Sequence, residues 1–345
     1  MCSSLKKCYD LIDKIIDSDI IELYISINEF LFQDINISQV KPLLPTWMAY
    51  AGISAESECS KDDYEKLRRQ INHPYLNRII YYYDVWSLIS AVQDRLQAVE
   101  YHLRNFYKNI PYEIKHKREE YTSCTRVCDT ETTLSYATLN SVFVALASSF
   151  DIITKIATEQ YCFSEYNFSC YSKMKSDGVL FNRSGNKYIN NKLKKNGLLF
   201  SVPLSVKKVL SYRDEYVHNG PWDMRCSLYL TAINGMPADV IMLSPDMDEN
   251  GNFITSGSRN KFYSQNNIIN AKLPYLVYDV IEIIGRTVNE ISSLYQKNTS
   301  VLIDEEKTKE CMNQINFFYS GIMTKCSNAI NADSYLNSEH TNHCK

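Results

Sequence analysis

Arg213, Asp214 and His218 stand close together at the end of an apolar helical run, and Gly220 and Pro221 follow at once. An arginine presents a planar fork of donors that matches a phosphate. An imidazole changes charge near neutral pH and so can serve as base or acid. Cleaving RNA without a metal needs those parts. A base takes the 2′-hydroxyl proton, a cation holds the phosphate as charge builds, and an acid protonates the leaving oxygen. Asp214 lies four residues before His218, on the same helix face, in a position to orient one ring nitrogen. Arg213 lies five residues before it, about 140° around the helix, and its long side chain can swing toward a shared phosphate. A second reading is open, in which His218 only caps the last carbonyls of an ordinary helix C-terminus.

Spacing alone does not choose between them, because Arg68 and His73, and Arg95 and His102, stand at similar intervals. Context does: Arg68 is followed by Arg69, and Arg95 by Leu96 in mid-helix. Only Arg213 has a polar residue after it and a helix end after its histidine. The approach to this helix is basic. Lys192, Lys194, Lys195, Lys207 and Lys208 belong to a stretch from 173 to 208 whose single acid is Asp177. Such a stretch suits an RNA backbone or simply a solvated surface. Trp222, just beyond the motif, offers a ring for stacking on a base or for packing against neighbouring helices.

The elements that must position these residues are mainly helical. Apolar residues at three- and four-residue steps predict a long amphipathic helix over 76–107 and a more apolar, central one over 131–161. Ser60, followed by Asp62 and Asp63, marks a helix start. Residues 108–130, polar and holding Pro111 and a run of charges, read as a loop or a short connecting helix. Ser201 and Pro203 open the helix that carries the motif. Short β-type runs and an Asp-Glu-Asn-Gly turn place a hairpin or meander at about 224–256. Pro274 starts a last long helix. The fold class expected is mainly α, an antiparallel helical bundle with a small β-hairpin or meander insertion. Its divisions are an N-terminal helical segment over 1–58, the bundle over 59–300, and a C-terminal helix and polar tail over 301–345.

Composition sets limits. With 345 residues, 45 % hydrophobic and 22 % charged, the chain belongs with globular proteins. A net charge of -3 gives no global basic field, so any nucleic-acid contact must be local. The first residues do not read as an export signal, and the apolar stretches are interrupted by charges, so no membrane partner is expected. The 11 cysteines are odd in number, which fits reduced thiols and a cytoplasmic location. An EF-hand-like start at Asp246, Asp248 and Asn250 lacks its terminal glutamate, the position being Gly257. No metal and no cofactor are expected.

An arginine, a polar residue and a histidine at the end of a helix in an all-helical chain resemble the signature of the HEPN superfamily (higher eukaryote and prokaryote nucleotide-binding domain). Members with this signature are often RNA endonucleases of toxin–antitoxin, abortive-infection and other antiviral systems. The resemblance implies a homodimer in which two signature helices meet and cleave RNA without metal. Arg213 and His218 then take the catalytic places and Asp214 the polar one. Partners would be RNA and a cognate antitoxin or regulatory protein. The resemblance spans about 76–300, and the β insertion departs from a plain bundle. A different class stays open: a non-catalytic helical module that binds a nucleotide, RNA or a protein.

Overall fold

The computed structural model describes residues 2–32, 50–57, 59–71, 73–110, 124–170, 173–183, 187–233, 236–264 and 266–295, together with 310, 311, 313, 314 and 317. The expected C-terminal helix and tail fall largely outside them. The helices are α1 (Cys2–Lys14), α2 (Ile20–Leu31), α3 (Lys61–Gln70), α4 (Pro74–Asn109), α5 (Thr130–Cys162), α6 (Leu204–Asn219) and α7 (Ile269–Leu294). The strands are β1 (Cys124–Val127), β2 (Leu228–Ile233) and β3 (Met236–Ile241). Helix makes up 66 % of the structure. The protein is mainly α with a small β insertion.

The chain forms two compact units. The first takes Met1–Ile25, Leu88–Cys162 and Ser176–Leu294, and the second Ser26–Ser87, Phe163–Lys175 and Tyr295–Lys345. Cys8, Ile12 and Ile15 on one face of the N-terminal segment need an apolar partner, and α1 finds it along α7. Gly285 makes that approach possible, because a Cβ there would come within 2.8 Å of Ile15 Cδ1.

In the first unit α5 is the central helix, with Leu139, Phe143, Leu146, Phe150 and Ile153 fully buried. It has the length and hydropathy of a membrane span, yet 67 % of its most apolar window is buried inside the protein, as a core helix requires. Asp129 caps its start, accepting from Thr132 N at 2.7 Å. α6 packs along α5, where Tyr212 stacks on Phe143 with ring centroids 4.8 Å apart.

Two expectations need correction here. Part of the stretch read as a loop or short helix over 108–130 is a strand: β1 pairs antiparallel with β2, which pairs with β3, in the order β1-β2-β3. Second, Pro274 lies inside α7 instead of starting it. A proline at this position frees the carbonyl of Asn270, four residues back. The Tyr107 hydroxyl donates to that carbonyl at 2.6 Å, so the helix continues without an orphaned acceptor. The Asn270 side chain bridges to β3 as well, donating to Val240 O at 2.8 Å and accepting from Met242 N at 2.9 Å.

The second unit is rich in aromatics. Ser60 Oγ accepts from Asp63 N at 3.2 Å and starts α3 as its sequence predicts. Tyr81, Phe163, Tyr166 and Phe168 form one ring cluster. Arg78 lies over Phe168 and donates to Leu31 O at 3.2 Å, which satisfies a buried guanidinium while its plane covers apolar surface.

Candidate active site

The motif occupies the last turns of α6. Val206, Val209, Tyr212 and Glu215 form its buried stripe, so the intervening positions face outward. His218 and Asp214 are exposed, and Arg213 is partly buried. α6 ends at Gly220, which takes a positive φ of 83° and donates its N–H to Tyr216 O at 3.1 Å, a close of the C-terminus that needs no side chain. Among the described residues, no hydrogen bond engages the His218 ring. The capping reading thus lacks its contact, and the residue is exposed.

Asp214 does not orient His218. Its Oδ1 accepts from Arg213 Nη1 at 2.7 Å. The adjacent guanidinium is the nearer and stronger donor, and it draws the carboxylate away from the histidine. The side chains of the pair are 25 % and 56 % exposed, Arg213 being the more enclosed. A guanidinium has five N–H donors, so this pairing leaves donors of Arg213 free for a phosphate while limiting where it can point.

The turn that holds these groups is braced from within. The Glu215 carboxylate is buried, with Lys261 Nζ 2.8 Å from Oε1 and Asn219 Nδ2 donating to Oε2 at 2.9 Å. Asn219 is the residue after His218, so the same carboxylate ties the last turn of α6 to Lys261. Replacing Lys261 with alanine strands that carboxylate. The expected loss is about 2–3 kcal/mol, below the roughly 3–5 kcal/mol of a fully buried pair because the lysine is partly solvated. Urea denaturation reads the loss directly, and adding Glu215→Gln to the Lys261→Ala protein should recover most of it.

Trp222 is not available to stack on a base. It is 2 % exposed, ringed by Tyr136, Phe143, Tyr212 and Tyr216. Its Nε1 donates to Leu243 O at 3.2 Å, and its own carbonyl accepts from the Tyr263 hydroxyl at 2.7 Å. A large amphipathic ring beside an apolar stripe gains more from burial than from exposure. Asp223 next to it accepts from Arg225 N and Ser227 N. The chain leaving the motif is therefore fixed. Burial raises the Tyr212 and Tyr216 phenols above their ordinary range, so neither offers a phenolate base near neutral pH.

The expected basic stretch is dispersed. Lys192 and Lys194 are exposed on a 3-10 turn (Asn191–Lys194) that packs on α7, and Lys195 pairs with Glu290 at 3.5 Å. Lys207 and Lys208 lie in the first half of α6, Lys208 about 15 Å along the axis from His218 at 1.5 Å per residue. Among the described residues, none of the five touches Arg213 or His218. Sequence reasoning missed Glu215 and Lys261. Glu215 was detectable as an acid three residues after Tyr212 on the apolar stripe. Lys261, far along the chain, carried no signal.

No protein-family model, no curated protein and no solved structure matches this chain, and the functional reading rests on the residues themselves.

Proposed function

We propose that the protein is a metal-independent endoribonuclease of the HEPN type, working as a homodimer in the cytoplasm within an antiviral-defence or toxin–antitoxin system. The observation that carries this reading is the exposed His218 ring, which makes no hydrogen bond among the described residues, at the braced end of α6, with Arg213 five residues before it. His218 moves the protons, Arg213 clamps the phosphate, and Asp214 restrains the arginine instead of the imidazole.

Helix α6 carries a single histidine, whereas 2′-hydroxyl attack needs a base on one side of phosphorus and an acid on the other. A second copy brings a second His218, which is the chemical reason for a dimer. Val217 within the motif is 54 % exposed and Met224 just beyond it 91 %, and such apolar surface suits a contact between copies. RNA is the substrate, and a cognate antitoxin or regulatory protein is the partner that restrains the enzyme.

The chemistry of the product ends tests the reaction class. Attack by the 2′-hydroxyl leaves a 2′,3′-cyclic phosphate and a 5′-hydroxyl. RNA cleaved by the purified protein in EDTA should carry those ends. Fragments with 5′-phosphate ends would mean attack by water, and the proposal would fail.

A further inference from the structure

Three asparagine–glycine pairs lie among the described residues: Asn196-Gly197, Asn219-Gly220 and Asn250-Gly251. A fourth, Asn234-Gly235, lies outside them. Such a pair can react with itself. Glycine has no Cβ to shield its amide nitrogen, so that nitrogen can reach the amide carbon of the preceding side chain. The reaction needs a glycine N–H free of other bonds and a side-chain amide free to swing over it. Two of the three pairs lack this freedom. Asn219 Nδ2 donates to Glu215 Oε2 at 2.9 Å, and Gly220 N donates to Tyr216 O at 3.1 Å. Gly251 is buried, and its N donates to Asp248 O at 3.1 Å. A Cβ on Gly251 would stand 3.2 Å from Leu204 Cδ1 and 3.3 Å from Lys208 Cγ, so its turn is wedged against α6.

Asn196-Gly197 has it. The pair forms the middle of a turn that Leu198 N closes on Lys195 O at 3.2 Å, and Gly197 takes a positive φ of 83°. Asn196 is exposed, and among the described residues neither its amide nor the Gly197 N–H makes a hydrogen bond. The chain on either side is fixed. Leu193, Leu198 and Leu199 are buried, and Leu199 N donates to Thr287 Oγ1 on α7 at 2.9 Å. A cation attends the pair. Arg286 Nη1 would stand 3.5 Å from a Cβ on Gly197, which puts it within about 6 Å of the Gly197 nitrogen by standard bond lengths. The Nη2 of the same guanidinium is the nitrogen that pairs with Glu282, at 3.2 Å. Positive charge here favours loss of the amide proton and holds the oxyanion that forms as the nitrogen attacks.

We propose that Asn196-Gly197 is a self-modifying site, at which the folded chain converts Asn196 to aspartate and isoaspartate with the aid of Arg286. The Gly197 nitrogen gives its proton to water and bonds to Asn196 Cγ. The Cγ–Nδ2 bond breaks, and Nδ2 takes up a proton and leaves as ammonia. The product is a five-membered succinimide. Water then opens the ring on either side of the nitrogen. Breaking the bond to Cγ gives aspartate, and breaking the bond to the backbone carbonyl carbon gives isoaspartate, with the chain rerouted through the side chain. Water enters, ammonia leaves, and nothing is oxidised or reduced. The new carboxylate arises beside Lys195 and Arg286, and isoaspartate lengthens the backbone just before the Leu199 bond to α7. The modification does not depend on the ribonuclease reading, since none of its groups belongs to the motif.

Peptide mapping by mass spectrometry of the full chain, held folded in warm, mildly alkaline buffer, follows each pair separately. Asn196 should convert about tenfold or more faster than Asn219 and Asn250, with aspartate and isoaspartate both present in its peptide. In guanidinium chloride the fold no longer protects the other two, and the lead of Asn196 should shrink to about threefold or less. Arg286→Gln should slow conversion at Asn196 by about threefold or more and leave Asn250 unchanged. The arginine side chain is 52 % exposed, so its aid is smaller than that of an enclosed oxyanion donor. Circular dichroism checks the fold of the variant, and Arg286→Lys, which keeps the charge, should restore most of the rate. Asn219 or Asn250 converting as fast as Asn196 in the folded chain overturns the proposal. So does an undiminished lead in guanidinium chloride, or an unchanged rate in Arg286→Gln.

Discussion

Replacing Trp222 with alanine will cost the first unit about 3–5 kcal/mol of stability, the range for emptying a buried aromatic site. The indole is 2 % exposed and touches four other rings, so its removal leaves a cavity between α5 and α6 that rigid aromatics cannot collapse to fill. The loss also strands Leu243 O, which accepts from the indole nitrogen. Trp222→Phe should cost less, because it keeps most of the ring contact and forfeits only that hydrogen bond and some volume. Urea midpoints of the two variants measure the difference. Equal, small effects would mean that the chain after the motif is not anchored through this ring.

The second large effect is on chemistry. His218→Ala should lower RNA cleavage by about 10²–10⁴-fold, the range for removing a positioned acid or base, and should leave stability nearly unchanged because the ring is exposed and makes no hydrogen bond among the described residues. Arg213 behaves differently. It is enclosed and paired with Asp214, so Arg213→Lys keeps a positive charge but loses the planar fork, and is not expected to restore activity.

Long periodic elements were readable in the sequence because their signal is local. The steps of apolar residues that predict helices over 76–107 and 131–161 correspond to α4 and α5 with ends displaced by one or two residues. What escaped depended on partners far along the chain. β1 is four residues long and pairs with residues about a hundred positions away, so nothing within residues 108–130 announces it. Pro274 is tolerated inside α7 only because Tyr107 supplies a donor from another helix. The N-terminal helix belongs with α7 for the same kind of reason. At the site, the helix end was legible from Gly220 and Pro221, whereas the stripe of Val206, Val209, Tyr212 and Glu215 that leaves His218 exposed comes from the structure. The direction of Asp214 was not legible, since helix spacing allows two partners and the adjacent guanidinium wins. Trp222 offered two uses, and only the surrounding rings decide for burial.

Incubating labelled RNA in EDTA with the wild-type protein and with its His218→Ala variant shows whether His218 cleaves RNA without metal. Cleavage by the wild type is expected, with its near-complete loss in a variant that unfolds at the same urea concentration. Equal cleavage by both proteins, or cleavage that EDTA abolishes, would contradict the ribonuclease reading.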